Sequence, residues 1–193
     1  MFDIFYSYTK LGFQHIVDIE SLDHILFVIT LCAVYELSEW RKIAIVITAF
    51  TLGHSITLVL AALKIIVPNR YLIELLIPVT ILISGVFNLI SQKYDIQSAK
   101  LYVKYAFALF FGLIHGMSFS SFFSDIMGDS SSIVFPLFSF NVGIELGQFF
   151  VILLYYSFVY ALYRLLKIEY SRFAWVFSML GILVSFYLIF KRI

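Results

Sequence analysis

Four histidines, His15, His24, His54 and His115, are the only ones in the 193-residue chain. Each sits at or inside an apolar stretch of membrane length. Imidazole is the commonest metal ligand among side chains. Ionisable groups within a bilayer are costly and mark functional sites. Two carboxylates belong with them: Asp23, beside His24, and Glu145, inside a long apolar run. Three or four neutral imidazoles with one or two carboxylates suit zinc, nickel, iron or cobalt by ligand softness. The expected metal ligands are therefore His15, Asp23, His24, His54, His115 and Glu145.

The neighbours of these residues form polar stripes. Asn141, Glu145 and Gln148 stand at i, i+4 and i+7 of one helix, a continuous face. Asn141 and Gln148 are expected to orient ligands rather than bind the ion. Gly143 and Gly147 flank that stripe, and small residues let helices approach closely in membranes. His54 shares a face with Thr57 beside Gly53, and His115 shares one with Ser118 between Gly112 and Gly116. A polar stripe facing lipid is unfavourable, so these faces should turn toward one another.

The elements that must hold them are helices. The chain is 62% hydrophobic and 13% charged, with a mean hydropathy of +1.00. A membrane helix needs about 20 apolar residues. Six such spans are expected: Ser21–Leu37, Lys42–Val67, Tyr71–Ser91, Leu101–Phe119, Ile133–Lys167 and Phe173–Phe190. The fold class is all-α, a polytopic six-transmembrane-helix bundle. Residues 1–20 are expected to form a short interfacial helix, with Phe2, Phe5, Tyr6, Phe13 and Ile16 among polar residues. Residues 21–193 form the bundle. No sequence repeat is evident. The lone Cys32 excludes a thiolate zinc site and an internal disulfide. A formal net charge of +1 gives no reason to expect nucleic acid. The opening MFDIFYSYTK lacks a basic region and a cleavage site, so the spans themselves should direct insertion.

Lysine and arginine set the orientation. One side carries Lys10, Lys64, Arg70, Lys191 and Arg192; the other carries Arg41, Lys42, Lys93, Lys100, Lys104, Arg164, Lys167 and Arg172. The second should face the cytoplasm, with both termini outside and the protein in a bacterial inner membrane. At about 1.5 Å per residue, every histidine and buried acid falls in the outer half or at the midplane. Ser84, Asn88 and Thr80 are the polar groups left for the inner half.

Three chemistries fit this set. A metal site is the leading one. A structural role, each imidazole bonding a neighbouring helix, is the second, and a metal-free proton relay is the third. Asp23 can equally cap its helix. Asp18 and Glu20 read as solvated loop charges, and Glu74 as an interfacial group. If the site is catalytic, Glu145 is the general base of a zinc-dependent intramembrane hydrolase, with a lipid or membrane peptide as substrate. No short motif such as HExxH supports that reading.

The same residues carry a resemblance. The segments 15–27 (HIVDIESLDHILF), 50–58 (FTLGHSITL), 112–119 (GLIHGMSF) and 140–148 (FNVGIELGQ) resemble motif blocks of the HupE/UreJ family, in family order. The resemblance implies a bacterial polytopic membrane protein associated with nickel or cobalt uptake. It matches His15, Asp23 and His24 to a histidine–aspartate–histidine motif implicated in metal handling, and His54, His115 and Glu145 to further positions of the family pattern. His15 and Asp23 stand farther apart here than in the nickel-associated members. The leading expectation is transport or handling of a divalent metal ion, with the metal and the lipid bilayer as partners.

Overall fold

A computed structural model describes residues 1–19, 22–93, 101–127 and 133–193. Glu20, the start of the first expected span at Ser21, and the segments 94–100 and 128–132 lie outside the described residues. Among the described residues the chain forms seven α-helices: α1 (Phe2–Val17), α2 (Leu22–Cys32), α3 (Trp40–Ala62), α4 (Arg70–Lys93), α5 (Leu101–Met127), α6 (Val134–Leu166) and α7 (Tyr170–Arg192). No strand occurs among the described residues.

Among the described residues five segments are long and apolar enough to cross a membrane: Leu37–Ala62, Arg70–Lys93, Tyr102–Phe123, Val134–Leu166 and Tyr170–Arg192. This is an all-α, multi-pass membrane protein. The first expected span differs. It is helical only over the 11 residues of α2, too few to cross alone. The Tyr156 hydroxyl ends it, reaching the carbonyls of Cys32 at 3.1 Å and Tyr35 at 2.8 Å.

The missing depth comes from α1. Phe5 lies against Phe135, the Thr9 hydroxyl donates to Ser139 O at 3.0 Å, and Phe13 lies against Phe150. Residue numbers rise together, so α1 runs parallel to the first half of α6. Sequence set residues 1–20 apart as a surface helix; here α1 packs along α6. Glycine is the reason. A Cβ on Gly12 would collide with the Phe140 carbonyl, and one on Gly143 with the Thr9 carbonyl. α1 ends where α2 begins, with the His15 and His24 rings 4.5 Å apart. α1 thus follows the first half of α6, and α2 reaches Tyr156 in its second half.

A second pair repeats this geometry. α3 and α5 are also parallel. A Cβ on Gly53 would collide with the Leu109 carbonyl, and one on Gly112 with the Phe50 carbonyl. The register matches closely. Gly12-x-x-His15 on α1 corresponds to Gly112-x-x-His115 on α5, and Phe140-x-x-Gly143 on α6 to Phe50-x-x-Gly53 on α3. Phe140 meets Phe119 and Phe123 near the end of α5, and Tyr156 lies by Tyr35, beside Lys104 near its start. The two pairs therefore run in opposite directions. The third pair, α4 and α7, is antiparallel: Asn88 bonds Ser178 at one end and Arg192 reaches Glu74 at the other. We call the end holding Glu74 and Arg192 the site side.

Candidate metal centre

His15 closes α1, His24 opens α2, and His54 and His115 come from the middle of the α3–α5 pair. His15, His24 and His54 each offer one ligand atom, and these atoms lie within 4.8 Å of one another. The His115 ring stands 5.3 Å from that of His24. His54 and His115 are 0% exposed, so neither ring reaches solvent. Five ring nitrogens are buried with no hydrogen-bond partner among the described residues: His15 Nε2, His24 Nε2, His115 Nδ1 and both of His54. Phe27, Phe50, Phe119 and Phe140 wall the cluster. Buried polar atoms are ordinarily paired, and each unpaired one costs about 1–3 kcal/mol. One of the two His54 nitrogens carries the ring proton, so a cation accepting lone pairs can remove that cost for at most four of the five. Three imidazoles within reach of one point form a group that can hold a transition metal with a position left open.

Two of the rings are oriented from outside. The Asp23 carboxylate accepts from His24 Nδ1 at 3.2 Å and also from the His24 backbone N–H at 3.0 Å. That fixes the proton on Nδ1 and directs the Nε2 lone pair inward. The Thr80 hydroxyl donates to Ile77 O at 2.7 Å and stands 2.9 Å from His115 Nε2. Satisfying both bonds puts the proton on Nε2 and leaves the Nδ1 lone pair free. Partners of this kind fix tautomer and ring orientation at metal sites.

Arg192 joins this shell for a reason readable in the backbone. Pro78 lies inside α4 and has no N–H for the carbonyl four residues before it, that of Glu74. Arg192 Nη1 donates to that carbonyl, and its Nη2 stands 3.2 Å from Asp23 Oδ2. The proline thus creates the acceptor that brings a guanidinium to Asp23. Glu74 itself pairs with Arg70 at 2.7 Å. A cavity of about 410 Å³ opens over His15 and His24, with Asp18, Asp23, Glu74 and Arg192 on its walls.

Glu145 does not join the cluster. Its Oε1 accepts from the Thr48 hydroxyl at 2.6 Å, on the outer edge between α3 and α6. Gln148 Oε1 likewise takes the Thr51 hydroxyl at 2.9 Å. Glu145 and Gln148 of the α6 stripe do face another helix, α3, but threonines satisfy them. The face of α6 carrying Phe140, Gly143 and Gly147 is the one turned to α1. Asn141 Oδ1 is buried without a partner among the described residues.

Sequence reasoning missed Thr80 and Arg192 as orienting groups. Pro78 was the available signal for Arg192. Thr80 gave only its four-residue spacing to Ser84.

No curated protein and no solved structure matches the chain significantly. The family profile described as HupE / UreJ protein matches residues 1–191. That match runs through all four histidine blocks and all seven helices, and on it the chain belongs to the HupE/UreJ family.

Proposed function

We propose that the protein transports or handles a divalent transition metal of the nickel or cobalt type. The ion binds His15, His24 and His54, with His115 at the edge of the site and Asp23 holding His24. One observation carries this reading: imidazoles from four separate helices converge with five unpaired nitrogens inside an apolar bundle. Asp18, Asp23 and Glu74 around the adjoining cavity favour entry of a cation over an anion. By the lysine and arginine bias, that cavity opens to the outside of a bacterial inner membrane. Family membership supports metal handling as the class.

Metal analysis of purified protein tests the site. The wild type should carry one equivalent of divalent metal, and His54→Ala and His24→Ala should carry almost none. Equal and negligible metal in all three would sink the proposal. Uptake of nickel or cobalt into proteoliposomes then tests movement.

A zinc-dependent intramembrane hydrolase is the second reading. It is favoured by the three-imidazole set, which leaves a position open for water. It lacks the base that Glu145 was expected to supply, since that carboxylate bonds Thr48. Tightly held zinc with no flux would favour it.

A further inference from the structure

α4 and α5 meet at one end and part toward the other. Near the metal centre they touch: the Thr80 hydroxyl stands 2.9 Å from His115 Nε2, and Ile77 packs in one cluster with Ile114. Farther on, their glycines serve other neighbours, Gly85 turned to α7 and Gly112 to α3. An apolar pocket of about 50 Å³ lies between the two helices there, walled by Leu31, Val34, Val46, Ile83, Phe107 and Phe111. Ser84 and Asn88 also line it, but they donate within the protein. The Ser84 hydroxyl goes to Thr80 O, and the Asn88 amide to Thr30 O and Ser178 Oγ. Ile83 and Phe107 are 44% and 43% exposed, so the pocket opens sideways to the hydrocarbon of the bilayer. Along α5 it runs from Lys104 to Phe111, about 10 Å at 1.5 Å per residue.

Its mouth leads into a cavity of about 720 Å³, with which it shares Val34, Tyr35, Phe87 and Lys104. That cavity sits among helix ends: after α2, before α3, at the end of α4 and at the starts of α5 and α7. It therefore lies at the membrane–water boundary opposite the site side, and the apolar pocket rises from it toward the bilayer centre. Acids and bases in its lining balance, Glu36 and Glu39 against Lys42 and Lys104. Glu39 and Lys42 pair with each other. Lys104 holds its Nζ 5.1 Å from the Tyr35 ring centroid, and Glu36 Oε2 takes the Ser38 hydroxyl at 3.3 Å. Neither Lys104 nor Glu36 forms an ion pair among the described residues. Ser91 and Gln92 line the same cavity, and their Oγ and Nε2 are buried without a hydrogen-bond partner among the described residues. The cavity thus offers an ammonium and two further donors to an oxyanion, and a carboxylate to a positive group.

We propose that this fissure holds one phospholipid with a zwitterionic head, of the phosphatidylethanolamine kind. Its phosphate sits by Lys104, Ser91 and Gln92, and its ammonium faces Glu36. The upper part of one acyl chain lies in the apolar pocket between α4 and α5. Apolar recesses exclude water. A molecule with a polar head and an unbranched apolar tail suits both compartments at once. The balanced lining favours a head that carries both signs over one that is only anionic. A primary ammonium can also donate to Glu36, which a quaternary one cannot. The lipid fills the gap that the pairing of the helices leaves.

Native mass spectrometry of the full chain in detergent reads this directly. Dioleoyl lipids are added singly to delipidated protein. Phosphatidylethanolamine should bind at one per chain, with phosphatidylglycerol and phosphatidylcholine at least about threefold weaker. Lys104→Met keeps the stem and removes the charge. It should weaken phosphatidylethanolamine binding about tenfold or more, and Lys104→Arg should restore it. Ile83→Trp, on the exposed rim of the pocket, should block the chain and lower binding as much without touching the head. Unchanged melting temperatures of these variants in the absence of lipid show the bundle intact. His54→Ala should bind the lipid as the wild type does, which separates this site from the metal centre. Equal binding of the three lipids, or wild-type binding of phosphatidylethanolamine by either Lys104→Met or Ile83→Trp, overturns the proposal.

Discussion

Asp23 serves two partners at once, His24 Nδ1 and the Arg192 guanidinium. Asn in its place keeps the shape but loses the charge that holds both. Asp23→Asn should weaken metal binding by about 10–100-fold, the usual cost of losing such an orienting group, as read by competition with a chromophoric chelator. Thr80→Val removes the acceptor for His115 Nε2–H and leaves that donor buried. It should cost about 1–3 kcal/mol of stability, seen as a lower melting temperature in detergent. Glu145→Gln is the contrasting case. Its partner is Thr48, so metal stoichiometry should be unchanged; loss of the bound ion in this variant would place the carboxylate at the site after all. The histidines and Asp23 were legible because each is expensive in an apolar segment and has few other roles there. Glu145 met the same criterion and still went elsewhere. Its helix presents three faces, and period alone does not say which of them meets imidazoles and which meets threonines.

At the level of helices, the glycine crossings decide where the rings go. Gly12 and Gly53 each abut a carbonyl of the neighbouring helix. A methyl group at either should push the paired helices apart, at about 1–3 kcal/mol. Gly12→Ala and Gly53→Ala should therefore lower both the melting temperature and metal affinity, because each glycine stands within three residues of a ligand. A drop in stability with affinity untouched would mean that the crossings do not set the ring positions. The four later long spans were readable from hydropathy: α4, α6 and α7 fall close to their expected limits, while α5 runs on past Phe119 to Met127. α1 was read as a helix but not as a partner of α6. Asp3, Lys10 and Gln14 dilute its apolar residues, so it looks like a surface helix until the glycines of α6 are known to receive it. The correspondence between the α1–α6 and α5–α3 pairs was hidden as well, because the matching helices occur in a different order along the chain.

Over the whole molecule, three locked pairs surround α2, and the histidine cluster takes rings from α2 and two of the pairs and orientation from the third. Whether it faces outward can be measured by labelling. In a Cys32→Ser background, a cysteine at Val67, 90% exposed on the site side, should react with a membrane-impermeant maleimide in intact cells. One at Lys167, in the left-handed turn after α6, should react only after permeabilisation. The reverse pattern would invert the protein and make the acidic cavity an exit.

The parallel seat of α1 on α6 also bears on how the protein is made. Residues 2–17 leave the ribosome well before residues 135–150, which build their groove. At about 5–20 residues per second, α1 waits several seconds or longer for its partner. Until then His15 has no fixed place, and an incomplete chain holds no finished trap for an ion. Assembly of the ligand set thereby becomes a late event in biogenesis, coupled to completion of the fourth long segment. A chain truncated after Ile133 should insert its earlier spans and leave its N-terminal helix open to protease.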